Sequence, residues 1–149
     1  MRRPYRLILV FLPLLLAACS ALGLGDAPSP LTEVEYGTFR DGALVAKTDG
    51  VPREIGLSFG FRVKLSDDQH GPVKAKIVTV TPGLLDPASS TPQTQYVSET
   101  TFEPGQTYDV FFTFSKPWEM AAGRWELRVE TENAEPLSHT FDIYDPEAK

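Results

Sequence analysis

The side chains in this sequence that could do chemistry beyond packing are one thiol, two imidazoles and a short run of acids. Cys19 is the only cysteine, so no internal disulfide, CxxC redox pair or thiolate zinc site can form. Its sulfur can still act as a nucleophile. Asp67-Asp68-Gln69-His70-Gly71 is the densest group of hard ligands, and a calcium ion could use its carboxylates. The run lacks the DxDxDG spacing that wraps a cation, and acidic turns ending in Gly-Pro arise for backbone reasons. Asp67, Asp68 and His70 are therefore weak metal candidates, and a solvated turn is expected. Nucleophilic catalysis needs a nucleophile, a base and an orienting group. No GxSxG serine motif and no GxxxxGK phosphate loop is present. His139 shares strand parity with Phe141 and Ile143, which predicts a partly buried structural histidine. The expectation is no catalytic residue, no cofactor and no resident metal.

The residues before Cys19 explain its position. Met1 to Arg6 is basic, Leu7 to Leu16 is apolar, and Ala17-Ala18 are small, the order of an export signal. A membrane-spanning helix needs about 20 apolar residues, more than this run offers, and Pro13 weakens it further. Leu16-Ala17-Ala18-Cys19 resembles the lipobox of bacterial lipoproteins. The resemblance implies a diacylglyceryl thioether on Cys19 and cleavage between Ala18 and Cys19. It also implies an outer-membrane destination facing the periplasm, because Ser20 stands where an inner-membrane retention signal would place aspartate. Ser20 to Pro30 is rich in Gly, Ser and Pro and reads as a tether. The expected division is a signal over 1–18, lipidated cysteine and tether over 19–31, and one domain over 32–149.

Charge narrows the partners. The chain carries −6, and removal of Arg2, Arg3 and Arg6 with the leader leaves −9. That sign disfavours nucleic acid, whose binding requires displacement of counterions by a basic surface. The expected contacts are a membrane, through the lipid anchor, and an envelope protein or polymer; oligomeric state is left open.

The elements that must position these residues are strands. The 13 prolines and 11 glycines disfavour long helices. Leu57 to Leu65 alternates apolar with polar or small residues throughout, and Tyr108 to Phe114 and Trp125 to Glu130 repeat the pattern. Weaker strand segments are 33–39, 42–47, 73–81, 93–102 and 137–144, bounded by Gly, Pro, Asp or Asn. In 73–80 the apolar parity changes between Ile77 and Val78, which predicts a bulge or burial on both faces. Seven or eight short strands point to an all-β, immunoglobulin-like sandwich, with a small barrel as the alternative.

The expected core is Phe59, Phe61, Tyr108, Val110, Phe112, Phe114, Trp125, Leu127, Val129, Phe141 and Ile143. Phe111 has the wrong parity and is expected at a partner surface or under a loop. Pro82 to Thr94 reads as the longest irregular stretch, and Lys116 to Gly123 as one helical turn with Trp118 capping the core. Glu126, Arg128, Glu130 and Glu132 fall on the outward face of their strand and are expected to keep the sheet soluble.

Glu35 to Phe39, Gly123 to Val129 and Phe141 to Ile143 resemble a family of small exported bacterial domains of unknown function, over about Glu33 to Asp145. The resemblance implies a β-sandwich and carries no catalytic residue. The expected function is a lipid-anchored, noncatalytic binding or structural domain. The alternatives are an envelope hydrolase with an unrecognised site and a calcium-dependent binding module.

Overall fold

A computed structural model describes residues 27–148, so the leader, Ala18 and Cys19 lie outside the described residues. Nine strands follow in order: β1 (Leu31–Arg40), β2 (Ala43–Ala46), β3 (Gly50–Pro52), β4 (Ser58–Leu65), β5 (Val73–Leu84), β6 (Gln93–Phe102), β7 (Thr107–Thr113), β8 (Gly123–Thr131) and β9 (Leu137–Tyr144). They form a four-stranded sheet of order β2-β1-β4-β7 and a five-stranded sheet of order β3-β9-β8-β5-β6. All pairings are antiparallel except β3 with β9. The sheets are open, so the sandwich is found and the barrel is not. Among the described residues no helix is long and apolar enough to cross a membrane.

Turn chemistry sets the registers. Asp41 and Gly42 both take positive φ, +50° and +78°, between Arg40 and its partner Ala43. That is the two-residue hairpin whose twist matches the flanking strands. Pro104 and Gly105, the latter at φ +75°, occupy the centre of the β6–β7 turn, which Gln106 N closes onto Glu103 O at 3.2 Å. Pro presets the first central position and Gly supplies the positive φ of the second.

With register fixed, the period of two decides what is buried. On β4, Phe59, Phe61, Val63 and Leu65 are buried, and on β8, Trp125, Leu127 and Val129 are. Phe59 joins the sheets: its ring meets Phe141 edge-on at 5.3 Å and Trp125 edge-on at 5.5 Å, and lies 5.3 Å from Phe114 in a tilted arrangement. Such geometries match the ring quadrupoles and add to area burial. The Trp125 indole N–H donates to Ala121 O at 2.9 Å, so the largest core side chain leaves no orphan donor. Trp118, on the 3₁₀ turn Pro117–Glu119, packs against this core as expected. The turn is fastened by Glu119 Oε2, which accepts from Ser115 N at 2.6 Å and Lys116 N at 2.8 Å.

The structure departs from the sequence expectation in particulars. A ninth strand, β3, is present; three residues in parallel register with β9 carry no readable alternation. Strand β5 continues to Leu84 through a register shift after Val80, so the irregular stretch shrinks to residues 85–92. Thr81 holds that shift, its hydroxyl donating to Gln93 O at 3.0 Å and accepting from Gly83 N at 3.2 Å. Tyr108 and Phe112 are half-buried against the core rather than enclosed. Burial on both faces of β5 is found: Ala75 and Thr79 face inward, while Val78, 2% exposed, lies on the outer face. The tether ends earlier than residue 31. Ala27 N donates to Asn133 O at 3.2 Å and Glu135 N donates to Ala27 O at 2.7 Å, so the chain is fastened to the β8–β9 turn from Ala27 onward.

Phe59→Ala should destabilise the domain by about 3–5 kcal/mol, because the cavity left between two sheets cannot collapse. Gly60, at φ +151°, faces Phe111 in the register, and an added Cβ would strike Val110 O and lie 2.9 Å from Phe111 Cα. Gly60→Ala should therefore cost more than about 1 kcal/mol. Both are read as a fall in the urea midpoint with an unchanged m-value.

Candidate functional site

The acidic turn, residues 66–72, follows β4. Asp67 is turned to Lys64, whose Nζ donates to Oδ2 at 3.0 Å, while Ser66 Oγ accepts from Asp68 N at 3.3 Å. Asp68 and His70 belong to the same turn, His70 exposed. No group of three His, Cys, Asp or Glu side chains placed to hold a metal ion occurs among the described residues.

His139 is where titratable groups do converge. It points inward from β9 with 18% of its side chain exposed, its ring 4.2 Å from Tyr36 and 4.7 Å from Phe141. Nδ1 lies 2.9 Å from Glu33 Oε2 on β1, and Nε2 lies 2.6 Å from Asp49 Oδ1 in the β2–β3 connection. A singly protonated imidazole can donate to only one of these carboxylates, whereas the imidazolium satisfies both. With each nitrogen taken, the ring has no free position for a general base. The carboxylates meet opposite nitrogens, so they share no point a cation could occupy. The arrangement ties β1, β9 and the crossover together, in keeping with the structural role expected for His139.

On the outer face of the four-stranded sheet, Phe111 lies over Gly60 and stacks on Phe39, centroids 4.1 Å apart. The Arg62 guanidinium lies over both rings, 5.1 Å from Phe39 and 5.6 Å from Phe111. Its Nε donates to Asp109 Oδ1 at 2.6 Å, and its other nitrogens donate to Glu35 and to Gly42 O. Its hydrogen bonds to Asp109 first and Glu35 second push its pKa above the ordinary guanidinium value, against a smaller penalty from burial. Phe111 is thus half-buried beneath an arginine rather than under a loop. Phe39, completely buried there, was absent from the expected core. Only the register that sets Phe111 opposite Gly60 reveals the pair.

The outer face of the five-stranded sheet is charged. Arg128 Nη1 donates to Glu126 and Nε to Glu130, both at 2.8 Å, and these two carboxylates, in that order, raise its pKa. Beyond this ladder an open groove of about 630 Å³ crosses β8, β5 and β6, lined in part by Lys74, Lys76, Glu99, Glu130 and Glu132. The register places Lys76 between Glu99 and Glu130. A shallow trough of alternating sign suits an extended polar partner more than a small molecule, which favours an apolar, enclosed pocket. Tyr96, on the inner face of β6, has its phenol pKa raised by burial, with Glu119 and Asp86 adding to the effect.

Comparison with known proteins agrees with this architecture. A family described as a domain of unknown function, DUF3859, matches residues 27–143. The crystal structure of an immunoglobulin-like protein from Pseudomonas aeruginosa is similar with a TM-score of 0.66 and 26% sequence identity, over 80% of this chain and 95% of that one. No curated protein matches the chain. With the match beginning where Ala27 is fastened and ending in β9, the chain belongs to the DUF3859 family, and its fold is an immunoglobulin-like β-sandwich.

Proposed function

We propose that the chain is a lipid-anchored, noncatalytic binding module of a bacterial envelope, attached through Cys19 and delivered to the outer membrane. The observation that carries this reading is the run Leu16-Ala17-Ala18-Cys19 behind a basic and then apolar leader. The sulfur becomes a thioether, and a second or third acyl chain makes attachment lasting, because one chain alone binds reversibly. Supporting it, both ring nitrogens of His139, the imidazole on which titratable groups converge, are taken by carboxylates. Ala27 stands eight residues beyond Cys19. At about 3.3 Å per residue the linker then reaches roughly 26 Å, so the domain works close to the lipid surface. Its partner would be an envelope protein or polymer, met along the mixed-charge groove of β8, β5 and β6.

The test is mass and fractionation of the wild type beside Cys19→Ala in a bacterial host. The wild type should begin at Cys19, carry the mass of its acyl groups and sediment with membranes, and the variant should lack the acyl mass. A wild type recovered unmodified in the soluble fraction would overturn the reading.

A further inference from the structure

We propose that the free edge of β6 pairs with β6 of a second copy of this chain, antiparallel about a two-fold axis at Val97, joining two five-stranded sheets into one. The inference rests on the fold and its edge alone, and holds whether or not Cys19 carries lipid.

β6 ends the five-stranded sheet, so half of its ten backbone amide and carbonyl sites face away from β5. Among the described residues no other segment pairs with that side. Folded proteins blunt such edges with shortness, proline, inward charge or a bulge. Two of the other three edges of this molecule do so: β2 has four residues, and β3 has three and ends in Pro52. β6 has none of these defences over Thr94 to Phe102. Its sequence, Gln-Thr-Gln-Tyr-Val-Ser-Glu-Thr-Thr-Phe, is rich in strand formers and carries one charge, Glu99. Val97 projects from its outer face, 54% exposed.

The sequence of β6 also selects the partner. A two-fold axis normal to the sheet sets one residue opposite its own copy, because opposed residues must share a face. Two axes use nearly the whole strand, at Val97 and at Ser98. The Ser98 axis would set Val97 against the carboxylate of Glu99. The Val97 axis sets the two exposed valines together, Glu99 opposite Gln95, Thr94 opposite Thr100, and Tyr96 opposite Ser98. No like charges face each other, and threonine pairs and apolar pairs are the favourable cross-strand combinations. The strand is thus compatible with its own reverse about Val97, with the exposed valines together and no charges opposed, a partner that a second copy always supplies, so the edge is assigned to a second copy. Backbone hydrogen bonds supply affinity and the side-chain order supplies register.

The full chain carrying Cys19→Ala, which removes its only other thiol, tests the pairing in mild detergent. Opposed strand residues hold their Cβ atoms about 4.5–5.5 Å apart, close enough for a disulfide after a small adjustment. Val97→Cys should link two chains under gentle oxidation. Gln93→Cys alone should not, but Gln93→Cys combined with Thr101→Cys should. In the unmodified full chain, sedimentation should give twice the monomer mass, and Val97→Lys should weaken association by about tenfold or more through like charges at the axis. Its melting temperature should stay near that of the wild-type monomer, since position 97 is exposed. Equal linking of Val97→Cys and Gln93→Cys, or a folded chain that sediments as a monomer at its highest soluble concentration, would overturn the assignment. Protection of β6 amides from exchange only on adding a foreign extended peptide would also overturn it, and would give the edge to that peptide.

Discussion

Two sheets are held face to face here without a cross-link, and the contact on which this depends is the Phe59 ring against Phe141 and Trp125. Cys19 is the only cysteine, so nothing covalent can pin β4 to β8 or β9. Aromatic area does that work instead, with edge-on geometry that resists sliding as well as separation. The rest follows from the alternation of β4. Once Phe59, Phe61 and Val63 face in, Gly60, Arg62 and Lys64 must face out. The outer layer of Phe39, Phe111 and Arg62 is therefore a consequence of the inner one. Gly60 is the hinge between them, because its missing side chain lets Phe111 close over the sheet.

The outer faces differ in how their charges are used. On the four-stranded sheet Arg62 is consumed by Asp109, Glu35, Gly42 and two rings, which leaves it little to offer a ligand. On the five-stranded sheet Arg128 neutralises Glu126 and Glu130, but Lys74, Lys76, Glu99 and Glu132 form no ion pair within 4 Å among the described residues. Unpaired charge of both signs therefore lies along this second face. His139 belongs to neither; it closes the seam where β1 and β9 approach, and its two carboxylates come from segments that strand pairing alone would not hold together.

Much of the fold was legible because burial on one face imposes a period of two, and Leu57 to Leu65, Tyr108 to Phe114 and Trp125 to Glu130 show it over whole strands. What escaped lacks a local signature. β3 is too short for a period, and Phe39 reads as one more residue of an amphipathic strand until Phe111 covers it. The docking of Ala27 depends on Asn133 and Glu135, residues at the far end of the chain. The candidate sites were legible in the opposite sense to their appearance. Asp67, Asp68 and His70 are neighbours in sequence and do not converge, whereas Glu33 and Asp49 lie 106 and 90 residues from His139 and do. Adjacency in a turn spreads side chains outward; convergence comes from register between strands, which no single segment encodes.

The fastening at Ala27 also has a mechanical consequence. Any tension on the residues before it first meets the two hydrogen bonds to the β8–β9 turn, and then the start of β1 at Leu31. β1 pairs with β4 from Leu31↔Leu65 to Phe39↔Ser58, and with β2 over Thr38 to Arg40. Against a hold at the opposite end of the sandwich, the pull runs along the strand axis and its ladder bonds are loaded together in shear. They cannot open one after another, as they would if an edge strand were peeled. A domain moored by that end can be tugged without being unravelled.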